Sequence, residues 1–505
     1  MLLISVYGFA QTGPPLIWGE SNEHLKGYEV NDMFGFDENT FYVFRENRRK
    51  KHPYALQRIS VDSLKTIGEH IFNVASINGL EPRITTTLTL SNKAYFIATT
   101  AQTKSDSLFL YAYEIRSNPM VGSKPVLLTT ASIKAVDSEK QLTVFKDTEK
   151  DLFMLIVPRE TDPTKNEKYE LLVFNSLLEK INSKEIEIPY PAHILEYHDA
   201  LIDKSGNAYV LASRKNTSLS ALNKDRNIGR DFSLFIYNWE GETLLEKSLS
   251  LGSKWLYDVR LLINKNGNIQ VAGYYSNMID LIMAGTFSLE LDKVTGEVLN
   301  QGLNPFDREF RTQFRPKSGN ISDTELGMFN LDYILPKPNG ITQLISEKNF
   351  TETSTIINPG TGMYSIITIY NYDEILISAI DASSKIKYNL IIPKYQSSTS
   401  AYDTYTSFIA FSDSGKTFLV YNDNDRNKSL PLDDTKGYRQ LTTASSSAAI
   451  LVVIHENGET VKLPLYSASR EFPVFNPNHF YQTDDGVILL AGSGYDIRFL
   501  KVKLK

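Results

Sequence analysis

The chain has 505 residues, 42% of them apolar and 22% charged, which is the composition of a soluble globular protein. Its formal charge of −6, from 53 basic and 59 acidic residues, leaves no basic footprint of the kind nucleic-acid binding requires. With no cysteine at all, disulfides, thiolate catalysis, iron–sulfur clusters and cysteine zinc sites are excluded.

The first segment, Leu2–Ala10, is apolar but far too short to span a bilayer, which takes ~20 residues. With Gly8 and Ala10 as small residues before Gln11, it reads as the end of a secretory signal peptide. Residues 1–11 are therefore expected to be leader, and 12–505 the folded part. No positive stretch separates Met1 from Leu2, and no lipobox cysteine is present.

From there one pattern repeats. Its best copy is Tyr257–Gly273, in which the apolar run Val259–Ile263 leads through Asn264-Lys265-Asn266-Gly267-Asn268 into Ile269–Ala272. Asn266-Gly267 suits a tight reversal because both residues tolerate positive φ, so the segment predicts a β-hairpin.

Leu16–Trp18 and Gly27–Val30 are short strand candidates ahead of the first full copy. That copy runs from Met33 to Phe44 and is followed by a second hairpin, Ala55–Ile59 with Thr66–Phe72. Four strands in about forty residues is the size of one propeller blade. Further units begin at Thr87, Leu142, Ala200, Val259, Leu331, Phe408 and Phe480. The turn residues Asn39, Asn92, Glu149, Gly206, Gly267, Gly340, Gly415 and Gly486 are spaced 53, 57, 57, 61, 73, 75 and 71 residues apart. The rise marks insertions in the later units.

A period above fifty with four short strands predicts an all-β fold, a single closed β-propeller of four-stranded antiparallel blades. Eight blades is the first choice and seven the alternative. The third unit is the weakest, because Asp147-Thr148-Glu149-Lys150 replaces the glycine turn. The last unit shows three strands, so an N-terminal strand is expected to complete it and remove an open edge. The structural competitor is two smaller β-domains joined by Asn304–Thr324; repeats on both sides favour a long loop instead.

Chemical motifs are sparse. None of the seven histidines falls in an HExxH arrangement, and no nucleophile elbow, Walker loop or GxGxxG is present. His193 and His198 lie on a strand entry, where residues five apart face opposite ways. Asn422, Asp423, Asn424 and Asp425 form the densest run of oxygen ligands, so calcium is the one cofactor the sequence admits. Arg426, however, stands where a calcium loop needs glycine. Phe306, Arg308, Phe310, Arg311, Phe314 and Arg315 interleave the residue types that dominate interface hot spots, and are the candidate binding patch.

The runs SGNAYVLAS and NGNIQVAGYYSN, the latter followed by GTFSLELDKVTGEVL, resemble divergent propeller repeats of exported Bacteroidota proteins. The resemblance implies the fold and a place in the periplasm, at the outer membrane or outside the cell. It leaves function open, since one fold hosts many. The expectation is a non-enzymatic propeller that binds a protein or envelope component through long loops of blades five to seven. One specific form of it is a periplasmic subunit of an outer-membrane secretion translocon, for which no motif speaks. The alternative is a hydrolase or lyase acting on glycans or peptides, with two carboxylates ~5–9 Å apart in the central channel.

Overall fold

The computed structural model describes all residues except 1–12, 22–24, 78, 92, 119, 137–142, 147–150, 216–229, 278–282, 315–325, 358–363, 401–403, 435–436 and 494–495. Among the described residues thirty-three strands, β1 to β33 in chain order, form eight antiparallel sheets. Seven are four-stranded and the sixth gains a fifth strand. The fold is a β-propeller of eight blades. The weak third unit is a complete sheet, running from Thr143 to Pro191.

The hairpin at Tyr257–Gly273 shows how each sheet is built. β18 (Trp255–Ile263) and β19 (Ile269–Ser276) pair with Leu261 opposite Val271. The Asn264 side chain accepts from the Asn266 and Asn268 amides at 2.9 and 3.1 Å, and its carbonyl accepts from the Gly267 amide at 2.9 Å. Only Gly267 takes a positive φ, 80°, so the reversal is a five-residue Asx-capped turn rather than a dipeptide turn. Asp203 and Asp381 cap their own turns in the same way.

The first strands of the sheets are β2 (Glu29–Phe34), β6 (Arg83–Leu90), β10 (Thr143–Lys146) and β14 (Leu195–Ile202). They continue with β18, β22 (Phe329–Pro336), β27 (Phe408–Asp413) and β31 (Phe475–Thr483). Most adjacent first strands, including β14 with β18, β18 with β22 and β31 with β2, lie against each other. Glu29–Val30 and Met33–Phe34, which look separate in the sequence, are joined in β2 across a bulge at Asn31.

The core lies between sheets, as alternating strands with two apolar faces require. Phe44 meets Phe96 across sheets one and two at 4.7 Å, and similar clusters fill each later interface. An eighth cluster joins the last sheet to the first, with Phe41 edge-on to Phe499 at 5.4 Å. β1 (Leu16–Trp18) pairs with β33 (Asp496–Lys503), Leu16 opposite Val502, and so supplies the last sheet's fourth strand.

Up-and-down order makes the two ends unequal. First-to-second and third-to-fourth turns lie at one end, the turn end, and are short apart from residues 116–125. Second-to-third loops and the passages between sheets lie at the other, the loop end. The insertions of the later units all fall at the loop end. They include α1 (Arg308–Arg311), the extensions of β23 (Thr342–Ile357) and β24 (Tyr364–Ile380), β26 (Gln396–Ser398) and the 425–446 loop.

Candidate functional site at the loop end of sheets five to seven

The first strands carry a recurrent aspartate that the sequence reading did not single out: Asp32, Asp199, Asp258 and Asp332. Each sits at or beside a bulge in its strand. Asp199 accepts from the Ala200 amide at 2.9 Å and, across to the next sheet, from the Leu261 amide at 2.8 Å. Asp258 accepts from the Leu331 amide of the following sheet at 2.7 Å, and Asp32 from the Thr87 hydroxyl. These carboxylates tie neighbouring first strands together. Burial raises the carboxyls of Asp32, Asp199 and Asp258 above the usual range. In the last sheet His479 contacts the backbone of Val30 instead, and burial pulls its pKa down to about 4. The signal was present in sequence as Asn31-Asp32-Met33, His198-Asp199-Ala200, Tyr257-Asp258-Val259 and Leu331-Asp332-Tyr333.

Asp332 is the most perturbed of the four. Burial, followed by the charge of Glu347, pushes its pKa up to about 7, while the Glu347 amide donates to it at 3.0 Å. Because the folded pKa lies above the unfolded value, the folded state holds the extra proton between about pH 4 and 7. This group's stabilising effect is complete below that window and lost as pH rises through it. Asp332→Asn keeps an acceptor for the Glu347 amide and removes the titration. The variant is expected to flatten the fall in urea midpoint between pH 5 and 8, a difference on the order of 1–4 kcal/mol. An unchanged pH slope would refute the assignment.

Beneath the sixth-sheet insertions lies a buried polar lattice. Lys394, fully buried, forms an ion pair with Glu347 at 2.6 Å and donates to the Tyr372 carbonyl at 2.9 Å and to Gln396 Oε1 at 3.1 Å. Glu347 also accepts from the Ser407 hydroxyl at 3.0 Å. Gln396 Nε2 reaches the Asn422 carbonyl in sheet seven at 2.7 Å, and Asn422 Nδ2 reaches the Phe475 carbonyl in sheet eight at the same distance. Lys348 faces Glu374 at 3.6 Å, also buried. The inserted segment is thus bonded to sheets six and seven, and through Asn422 to sheet eight.

The oxygen-rich run is spent locally. Asn422 and Asp423 are buried; Asp423 Oδ1 accepts from Asn427 at 2.7 Å and the Asn424 amide at 2.8 Å. Burial pushes the Asp423 carboxyl up to about 6, against the pull of Asn427 and Lys462. Asn424 Nδ2 donates to the Gln440 carbonyl, while Asp425 pairs with Lys428 and accepts from Ser467. These bonds brace the chain that follows Asn424. Among the described residues no group of three His, Asp or Glu side chains is placed to hold a metal.

Of the candidate binding patch, Phe306, Phe310 and Phe314 are buried and pack in sequence, tilted at 5.3 Å and edge-on at 5.5 Å, Phe314 meeting Phe329 edge-on at 5.5 Å. They anchor the passage between sheets five and six. Asp307 caps the short helix, accepting from the Phe310 amide at 2.7 Å, so Arg308 stands exposed and Arg311 partly so. Arg315 lies outside the described residues. The two histidines part company. His193 Nδ1 pairs with the Pro163 carbonyl at 2.7 Å beside a polar cleft of about 480 Å³, whereas His198 turns inward to Ser213 at 2.6 Å. Burial lowers the His198 pKa to about 4.

No protein-family model matches the chain, and no curated protein matches it. Solved structures do. A Bacteroides caccae protein of unknown function aligns at 12% identity and TM-score 0.28, over 75% of this chain and 94% of its own. The β-propeller domain of the Trilobed protease from Pyrococcus furiosus aligns at 10% and 0.37, over 87% and 97%. A quinohemoprotein alcohol dehydrogenase from Pseudomonas putida aligns at 10% and 0.44, over 97% and 76%. Matches this distant carry nothing about activity; the propeller assignment rests on the strand pairing itself.

Proposed function

We propose that this is an exported β-propeller that binds a protein or envelope component through the loop end of sheets five to seven. The observation that carries the reading is the placement of the insertions. Those of the later units fall on one end, and the largest is bonded through a buried lattice to sheets six, seven and eight. A rigid frame with elaborated loops on one end is the form binding surfaces take. The first-strand carboxylates support binding over glycan or peptide hydrolysis, because their oxygens hold neighbouring strands together. The export part of this reading rests on the sequence of Leu2–Ala10 alone. Among the described residues no helix is long and apolar enough to cross a membrane.

The test is capture from envelope fractions of the native host with paired surface variants. Arg308→Glu with Arg426→Glu alters the loop end; Lys265→Glu with Lys293→Glu alters the turn end as a control. The loop-end pair is expected to reduce recovery of the specific partner at least about tenfold, roughly 1.4 kcal/mol, with the control unchanged. Equal recovery by both would refute the surface. Turnover of glycans or peptides without any specific partner would favour the enzyme instead.

A further inference from the structure

The β23–β24 hairpin outgrows its sheet. β22 pairs with β23 only as far as Lys348, and β25 (Ile386–Ile392) with β24 only from Ile375, yet β23 and β24 stay paired from Asn349–Tyr372 to Ile357–Tyr364. At 3.3 Å per residue the free ribbon reaches ~26 Å beyond the sheet. β26 covers Tyr370–Tyr372. The edge Tyr364–Ile369 pairs with β23 alone among the described residues.

That edge reads Tyr364-Ser365-Ile366-Ile367-Thr368-Ile369, without a charge, proline or glycine. Edge strands normally carry lysine, proline or a bulge to prevent pairing with another chain, and none of these is present here. Tyr364 and Ile366 are the most exposed large apolar side chains among the described residues, at 75% and 74%. The ribbon's other edge carries Glu352, so β24 is the edge suited to self-pairing.

We propose that this edge pairs antiparallel with the same edge of a second copy of the chain. A two-fold contact sets a strand against itself, so any charge would oppose itself or a near neighbour; this strand has none. Centring the two-fold on Ile366 places Ile366 opposite Ile366, Ser365 opposite Ile367 and Tyr364 opposite Thr368. The two ribbons then form one four-stranded sheet, and the contact closes at a dimer. It involves few residues, at the low end of protein interfaces, so association belongs in the micromolar range.

Sedimentation velocity of the purified chain from about 1 to 200 µM tests this with no partner present, so the result stands apart from the proposed function. The sedimentation coefficient is expected to rise from monomer to dimer with a midpoint of about 10–100 µM. Ile366→Lys, at an exposed position, sets like charge against like and is expected to stay monomeric throughout. A wild-type chain monomeric at 200 µM, open-ended association in place of a dimer, or an Ile366→Lys variant that dimerises as wild type would each overturn the proposal.

Discussion

Lys394→Met is expected to lower stability by about 3–5 kcal/mol, although Lys394 touches no solvent and lies in a connecting segment. The reason is what it leaves behind. Glu347 is itself buried, and its principal charge partner is the ammonium at 2.6 Å. Removing that cation strands a carboxylate in a low-dielectric site beside Asp332, which already resists ionisation. The Tyr372 carbonyl and Gln396 Oε1 lose a donor in the same step. Glu347→Gln combined with Lys394→Met removes both charges and is expected to recover much of the loss. Urea unfolding of the three proteins checks this, and a single variant no weaker than the double would contradict it. Limited proteolysis should also show earlier cleavage within 393–407 in the single variant, because that segment is held by the lattice.

Truncation through Trp18 is expected to cost roughly 3–5 kcal/mol and to promote aggregation. Leu16 and Trp18 are partly buried between sheets seven and eight, where Trp18 meets Tyr466 and Phe472 at 4.9 and 5.0 Å, and Ile17 is partly buried between sheets eight and one. Half-burial of three large apolar side chains contributes roughly 3 kcal/mol. Truncation also uncovers the β33 edge from Leu500 to Val502, a new template for intermolecular pairing. Thermal unfolding with light scattering distinguishes the outcomes. A truncated chain with unchanged melting temperature and no scattering would show that β1 contributes nothing to the last sheet.

The repeat was legible because turn and strand chemistry are local. Asn264–Asn268, Asp203–Asn207 and Lys337–Ile341 announce their hairpins through residues that cap or occupy a positive-φ position, whereas the third unit, without a glycine turn, is marked only by its apolar runs. The pairing of Leu16–Trp18 with the last sheet was also reachable, since a three-stranded final unit needs a fourth strand. The β23–β24 ribbon escaped the sequence for a different reason. Thr351–Thr355 and Ser365–Tyr370 carry the β-branched residues of a strand, but they lie beyond the length a blade of short strands leads one to expect. The first-strand aspartates were overlooked because a charged residue inside a strand pattern looks like noise until its partner, the amide of the next sheet, is known. The phenylalanines of 306–314 were read as potential surface anchors. Their spacing at every fourth residue equally suits inward packing, and only tertiary contacts decide between the two. The lattice around Lys394 draws residues from five separate segments, so nothing local in sequence could have assembled it.

Cross-linking mass spectrometry in native envelope fractions tests the central claim most directly, because exposed lysines mark both ends of the propeller. Lys50, Lys104, Lys134 and Lys428 lie at the loop end, and Lys65, Lys204, Lys265 and Lys416 at the turn end. Binding through the loop end of sheets five to seven predicts that links to the partner concentrate on Lys428, sparing both the turn-end set and Lys50, Lys104 and Lys134 at the loop end of sheets one to three. Links concentrated on the turn-end lysines would contradict it.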